Sequence, residues 1–101
     1  MNNTRFDAAQ EAIQYYKNEG YDFNFTEKAV EAEFPDNWEI EAIHSFTEIK
    51  NPIRNQTVYA LRSKTEDKKG IIVQRVGMIM PFKTLFIQQV ELANEKKETP
   101  Q

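Results

Sequence analysis

A chain of 101 residues without cysteine holds one domain, and it excludes disulfides, thiolate nucleophiles and cysteine-based metal sites. Its single histidine also excludes a multi-histidine metal site within one chain. The net charge of −3 and the 12% aromatic content are typical of a folded protein, and no signal peptide or membrane-spanning stretch is evident, so we expect a cytoplasmic protein that does not enter a membrane.

Charge is distributed unevenly along the chain. Residues 1–49 contain eleven acidic and three basic residues, whereas residues 50–83 contain eight basic and two acidic ones. One interpretation is a basic surface for a nucleic acid or another anion. The interpretation we favour is that acidic and basic strands lie side by side, so that opposite charges meet across a sheet. A nucleic acid is an unfavoured partner because the chain as a whole is acidic and phosphates would repel it.

The first predicted element is a helix over residues 4–19. Thr4 is expected to cap its first turn, and Gly20 stands where a left-handed residue commonly ends a helix. Apolar side chains recur along one stripe at intervals of three and four residues, which is typical of an amphipathic helix. These residues are Phe6, Ala9, Ile13 and Tyr16.

Two strands are predicted after an extended segment at residues 21–25, where aromatic and polar residues alternate. In residues 26–34, alternation of apolar residues with glutamates favours a strand, although the composition also suits a helix. Residues 38–49 alternate more regularly and predict a half-buried strand. The apolar side of that strand would contain Trp38, Ile40, Ala42, His44 and Phe46.

The second half of the chain predicts a hairpin followed by a helix. Residues 57–63 and 70–81 are predicted strands, and the charged connection between them is short enough to close an antiparallel hairpin. Residues 70–81 are strongly apolar, so we expect them at the centre of the sheet, with a bulge near Gly77 and an end at Pro81. Residues 82–97 favour a helix, and we expect residues 98–101 to form a frayed tail.

His44 is the side chain best suited to general base chemistry near neutral pH, and it lies on the apolar side of its predicted strand. We interpret it as a core residue with a hydrogen-bond partner, and we assign no catalytic residue. Glutamates at two-residue spacing, Glu31 with Glu33 and Glu39 with Glu41, can bind a divalent cation. Such a row is more often the solvated side of an antiparallel strand, which is the interpretation we favour, and we predict no metal site and no cofactor.

Arg62 and Arg75 lie within predicted strands, and together with His44 they are the candidates for contacting a ligand. Arginines in such positions suit a small phosphorylated molecule or a nucleotide. The glycines stand singly at positions 20, 70 and 77, so the chain lacks a glycine-rich phosphate loop. It also lacks the motif of arginine or lysine, glycine and spaced aromatic residues found in RNA-binding sheets.

The order of the segments resembles that of a group of small Bacteroidota proteins of similar length. The resemblance covers residues 6–80 and rests on a helix followed by GYDFNF, WEIEAIHSFTEIKNP, TVYALRS and KKGIIVQRVGMI. Proteins of this group are often labelled phosphoribosylpyrophosphate synthetase, a label that implies binding of ribose phosphate, Mg²⁺ and ATP. The paired acids and the Thr- and Gly-rich phosphate loop of that enzyme have no counterpart here, so the resemblance assigns no functional residue.

These patterns predict a single α+β domain over residues 1–101. We expect an N-terminal helix, a four-stranded, mainly antiparallel sheet and a C-terminal helix, with both helices on one face. Catalytic groups are scarce, whereas sheet edges and aromatic residues offer a surface for a protein partner or for self-association as a homodimer. We therefore predict a protein-interaction or regulatory module rather than an enzyme. A binder of small phosphorylated ligands or nucleotides is the alternative, and a single-stranded nucleic-acid binder is the third.

Overall fold

The computed structural model describes residues 8–47, 55–75 and 80–98. In that part of the chain, three antiparallel strands form a sheet in the order β1–β2–β3. The strands are β1 (Trp38–Phe46), β2 (Gln56–Ser63) and β3 (Lys69–Arg75), and the helices are α1 (Ala9–Asn18), α2 (Glu27–Glu31) and α3 (Pro81–Glu98). The predicted α+β class with a helix near each end is confirmed.

The prediction of a fourth strand at residues 26–34 is wrong, because this segment contains the helix α2. Thr26 is the N-cap, and its Oγ1 accepts a hydrogen bond of 3.2 Å from the Ala29 N–H. Glu27 in the first turn also favours the helix, through its interaction with the helix dipole. These local signals outweigh the alternation of apolar and acidic residues. What lies beside β3 instead is Phe23, in a single parallel bridge to Gly70.

β2 and β3 form the antiparallel hairpin that the sequence predicts. The prediction that residues 70–81 form the central strand is wrong, because β2 is central and β3 lies at an edge. β3 is nevertheless apolar because both of its faces are covered, with Ile72 in one core and Ile71 against the other. Pro81 begins α3 rather than ending a strand, and the predicted bulge near Gly77 lies outside the described residues.

α1 and α3 pack on opposite faces of the sheet, so the prediction that both helices share one face is wrong. Alternate residues of a strand point to opposite faces. Val58 of β2 packs with Ala9 and Ala12 in a cluster that we call the α1 core, whereas Leu61 packs with Phe86 in a cluster that we call the α3 core. The sheet is therefore the middle of three layers and has a small core on each side.

A β-bulge in β1 divides its apolar residues between the two cores. The pairing with β2 shifts between Ile40 and Ala42. Before the shift, Trp38 and Ile40 belong to the α3 core, and after it Phe46 packs against the α1 core while His44 contacts α1. Because a shift of one residue moves each following side chain to the other face, the predicted single apolar stripe is split in two.

The ends of the long helices follow largely from local signals. α1 begins at Ala9, after Ala8 in extended conformation, and the predicted start at Thr4 lies outside the described residues. Gly20 ends it as predicted, with a φ of 95° and with the Tyr21 N–H donating to the Tyr16 carbonyl at 2.9 Å. α3 matches the predicted helix within one residue at each end, and of the predicted tail only Glu98 is described, as helix.

Candidate functional site

The outer edge of β3 carries backbone groups that point away from the sheet. The Phe23 N–H donates to the Lys69 carbonyl at 2.8 Å, so Lys69 turns its backbone groups away from β2. The backbone groups of every second residue in a strand point the same way. The backbone N–H and C=O of Val73 therefore also point away from β2. Among the described residues, Phe23 makes the one bridge to this edge, at Gly70. We call the part of β3 beyond this bridge, from Val73 to Arg75, the open edge.

Gly70 is what allows Phe23 to lie so close to β3. A Cβ atom at position 70 would collide with the Phe23 carbonyl oxygen and would lie 2.8 Å from Cε2 of Phe25. A glycine within a strand often marks such an approach of two backbones. The chain leaves β3 immediately afterwards, because Phe25 is buried in the α3 core. Within the described residues, the bridge therefore covers one end of the outer edge and leaves the other end open.

A groove of about 640 Å³ lies beside the open edge. Its floor is apolar and consists of Ile13 of α1 with Ile71 and Val73 of β3. Aromatic and polar side chains of the segment that follows α1 form one wall. Three cations and one carboxylate line the groove as well, so its charge is positive, and these are Lys17, Arg75, Lys83 and Asp22.

The groove cations take no part in the salt bridges found among the described residues. Those salt bridges use Arg62 and Lys68 as their cations. Arg75 donates from Nε to Oε1 of Gln56 at 3.3 Å, a neutral partner that leaves its charge in place. The positive charge of Lys17, Arg75 and Lys83 is therefore directed to the groove without a salt-bridged carboxylate from the described chain.

Arg62, the second arginine predicted to contact a ligand, lies outside the groove. Its Nη2 lies 2.9 Å from Oε2 of Glu39, and its Nε lies 3.0 Å from Oε2 of Glu41. The hydrogen bond to Glu39, and after it the charge of Glu41, raises the pKa of Arg62. Glu39 lies opposite Arg62 in the pairing of β1 with β2, and Glu41 is the residue at the bulge. This is the cross-strand pairing of opposite charges that the sequence favours.

His44 also lies outside the groove, on the side of β1 that faces α1. Its Nε2 is 2.7 Å from the hydroxyl oxygen of Tyr16. Burial lowers the pKa of His44, and burial followed by the charges of neighbouring groups raises the pKa of Tyr16. The Tyr16 ring packs edge-on against Tyr21, whose hydroxyl donates to Glu41. These contacts fasten α1 and the segment after it to β1.

Arg75 is the predicted ligand contact that the structure places in the groove, whereas Lys17 and Lys83 are not among the predicted ones. Lys17 follows Ile13 by four residues, and this spacing puts a cation and an apolar residue on one face of α1. That signal is present in the sequence. Lys83 gives no comparable signal, because its position beside β3 depends on how α3 packs against the sheet.

No group of three or more His, Asp or Glu side chains in the described part of the chain is placed to hold a metal ion. None of the helices in those residues is both long enough and apolar enough to cross a membrane.

No protein-family model, no curated protein and no solved structure matches this chain. The fold and the site define a small three-layer α+β protein whose sheet has an open edge beside a basic groove. The geometry of that edge indicates what the protein can bind.

Proposed function

We propose that this chain is a protein-interaction module that binds an extended segment of a partner as an additional strand beside β3. The observation that supports this proposal is the open edge, where the backbone groups of Val73 point outward beside a groove. Extended peptides bind such edges through main-chain hydrogen bonds, and adjacent pockets select their side chains. β3 already accepts one residue in this way, Phe23 of its own chain.

The opposite edge of the sheet supports the choice of β3. There the Ile40 N–H donates to Oδ1 of Asn94 at 3.3 Å, and Nδ2 of Asn94 donates to the Trp38 carbonyl at 3.1 Å. One side-chain amide thus takes the place of a neighbouring strand at the start of β1, from Trp38 to Ile40. Proteins commonly cover strand edges to prevent unwanted pairing, and the uncovered end of β3 differs from that of β1 in lying beside an apolar groove lined by cations, which favours a binding role.

A different protein suits this edge better than a second copy of the chain. Two copies that met through their β3 edges would bring Lys17, Arg75 and Lys83 of both grooves together, and like charges across an interface are unfavourable. A small phosphorylated ligand is the second candidate, because the same three cations offer charge-assisted hydrogen bonds to phosphate oxygens. An enzyme has less support, since His44 is paired with Tyr16 outside the groove.

Hydrogen exchange of single backbone amides, followed by NMR, tests strand addition. The probes are extended peptides of about eight residues with alternating valine, in acidic, neutral and basic versions. The Val73 amide points outward and should exchange fast in the free protein, and a bound peptide should slow it about tenfold or more. The Ile72 amide, which faces β2, is the internal control and should be protected in both states.

The outcomes separate the two candidates. If no peptide of any charge slows exchange at Val73, strand addition is wrong. If inorganic phosphate or a nucleoside monophosphate shifts the Arg75 signals while every peptide leaves Val73 unprotected, the module binds a small phosphorylated ligand instead.

A pair of variants at Val73 isolates the backbone contribution. Val73→Pro removes the outward N–H at an edge position, where proline is compatible with the ladder to the neighbouring strand. Val73→Ala is the matched control, because it removes similar side-chain contacts and keeps the N–H. We expect peptide affinity to be about tenfold lower for the proline variant than for the alanine variant. Circular dichroism establishes that both variants are folded.

A further inference from the structure

We infer that the groove selects partner segments that are acidic as well as extended. This inference rests on the proposed strand addition and names the chemistry of the segment that the open edge receives. Its basis is the composition of the groove, an apolar floor lined by three cations and a single carboxylate. A segment that alternates apolar residues with aspartate or glutamate matches both features.

The three cations reach the groove from three different elements. Lys17 lies one helical turn beyond Ile13 on α1, so this helix presents an apolar side chain and a cation together. Arg75 is two residues beyond Val73 and lies on the same face of β3. Lys83 comes from the first turn of α3. An apolar side chain of a bound segment that packs on the floor would thus have cations on several sides. Acidic residues next to it in the segment could pair with those cations.

Charge alone would also suit a single-stranded nucleic acid, but the aromatic residues of the groove argue for a peptide. Bases bind single-strand modules by stacking on exposed aromatic rings. One face of the Tyr21 ring is covered by Nζ of Lys69 at 4.4 Å from the ring centroid, and the Phe23 ring is contacted by Nζ of Lys68 at 4.9 Å. Phe23 is also packed against Phe25. The backbone groups of the open edge, by contrast, match those of an extended peptide.

Three peptides that differ in charge alone test this inference. Each has about eight residues with valine at alternate positions and with glutamate, glutamine or lysine at the others. We expect the glutamate peptide to bind about tenfold more tightly than the glutamine peptide at 0.1 M salt, and the lysine peptide to bind most weakly. The preference should largely disappear at 1 M salt, where the Debye length falls from about 10 Å to about 3 Å.

The peptide series separates the inference from the proposed function. If the glutamate and glutamine peptides bind equally and both slow exchange at Val73, acidic selectivity is wrong and strand addition stands. If no peptide binds or protects Val73, the proposed function is wrong, and this inference is wrong with it. If single-stranded RNA displaces the glutamate peptide and binds more tightly, the groove is a nucleic-acid site and the inference is overturned.

Charge-reversal variants assign the selectivity to the groove. Lys17→Glu and Lys83→Glu should each weaken binding of the glutamate peptide roughly three- to tenfold, and the double variant should prefer the lysine peptide. Lys28→Glu is the matched control: it makes the same change in net charge at an exposed site on α2, outside the lining of the groove, and should alter binding less than about twofold. If Lys28→Glu weakens binding as much as Lys17→Glu, the effect comes from overall charge and the inference fails.

Discussion

At the β1 edge of the sheet, the amide of Asn94 both accepts a hydrogen bond from the Ile40 N–H and donates one to the Trp38 carbonyl. At the β3 edge, one bridge from Phe23 covers Gly70, and the backbone groups of Val73 point outward beside the basic groove. In the described chain each edge is thus covered at one end, β1 from Trp38 to Ile40 and β3 at Gly70, and the uncovered end of β3 lies beside an apolar groove lined by cations.

The length of α3 explains how Asn94 reaches the β1 edge. α3 begins at Pro81, soon after β3, and Asn94 lies thirteen residues further along the helix. That distance is about 20 Å at 1.5 Å per residue. The spacing between β3 and β1 is about 10 Å, since neighbouring strands lie about 4.8 Å apart. α3 is therefore long enough to cross the sheet from one edge to the other.

Replacing the glycine at the covered end of β3 should have the largest effect on the free energy of unfolding. Gly70→Val forces a side chain against the Phe23 carbonyl oxygen and Phe25, and we expect it to lower the free energy of unfolding by about 3 kcal/mol. Urea unfolding measures this change. Ile71→Val is the control at the neighbouring position and should cost about 1 kcal/mol. Equal stability of Gly70→Val and the wild type would contradict the close approach of Phe23 to β3.

Removing the Asn94 amide from the β1 edge should lower the free energy of unfolding by an intermediate amount. Asn94→Ala leaves the Ile40 N–H and the Trp38 carbonyl without their partner, and we expect a loss of about 2 kcal/mol. Amide exchange at Ile40 should become faster, while exchange at Val73 should stay as it is. Asn94→Asp keeps the acceptor and removes the donor, so it should destabilise the protein and still protect Ile40. Unchanged exchange at Ile40 in Asn94→Ala would show that another group closes this edge.

Lowering the pH should have the smallest effect, a loss of folding stability that arises from protonation of His44 on β1. Burial lowers the pKa of His44 below its ordinary value of 6.5, so the unfolded chain takes up this proton at higher pH than the folded chain. The resulting stability is present above pH 6.5 and is lost as the pH falls through the folded-state pKa of His44.

Urea unfolding between pH 7.5 and pH 5 measures this loss, and His44→Gln is the control. The variant should lose less stability than the wild type over this interval, because its side chain cannot take up a proton. Parallel pH profiles for the two proteins would mean that other groups cause the dependence.

Several features of the fold could be predicted because the residues that determine them are neighbours in the sequence. The hairpin between β2 and β3 and the end of α1 at Gly20 are of this kind. The helix α2 could also have been predicted, since Thr26 is a good N-cap, but the alternation of apolar and acidic residues favoured a strand.

The candidate site could be predicted only in part. Arg75 was recognised as a basic residue of a strand, whereas its neighbours in the groove, Lys17 and Lys83, belong to two helices on opposite faces of the sheet. A preference for helix or strand contains no information about which helix lies beside which strand. The position of Lys83 therefore could not be deduced from local patterns.

The sequence by itself determined the α+β class, the long helices and the hairpin, because these depend on periodicity and caps among residues close together in the chain. The tertiary structure decided which strand is central, which face each helix covers and which strand end lies beside the groove. A bulge between Ile40 and Ala42 divides the apolar residues of β1 between the two faces, and the side chain of Asn94 covers the start of the β1 edge. Both act through contacts between residues far apart in the chain, and the energy of such contacts exists only once the sheet has formed.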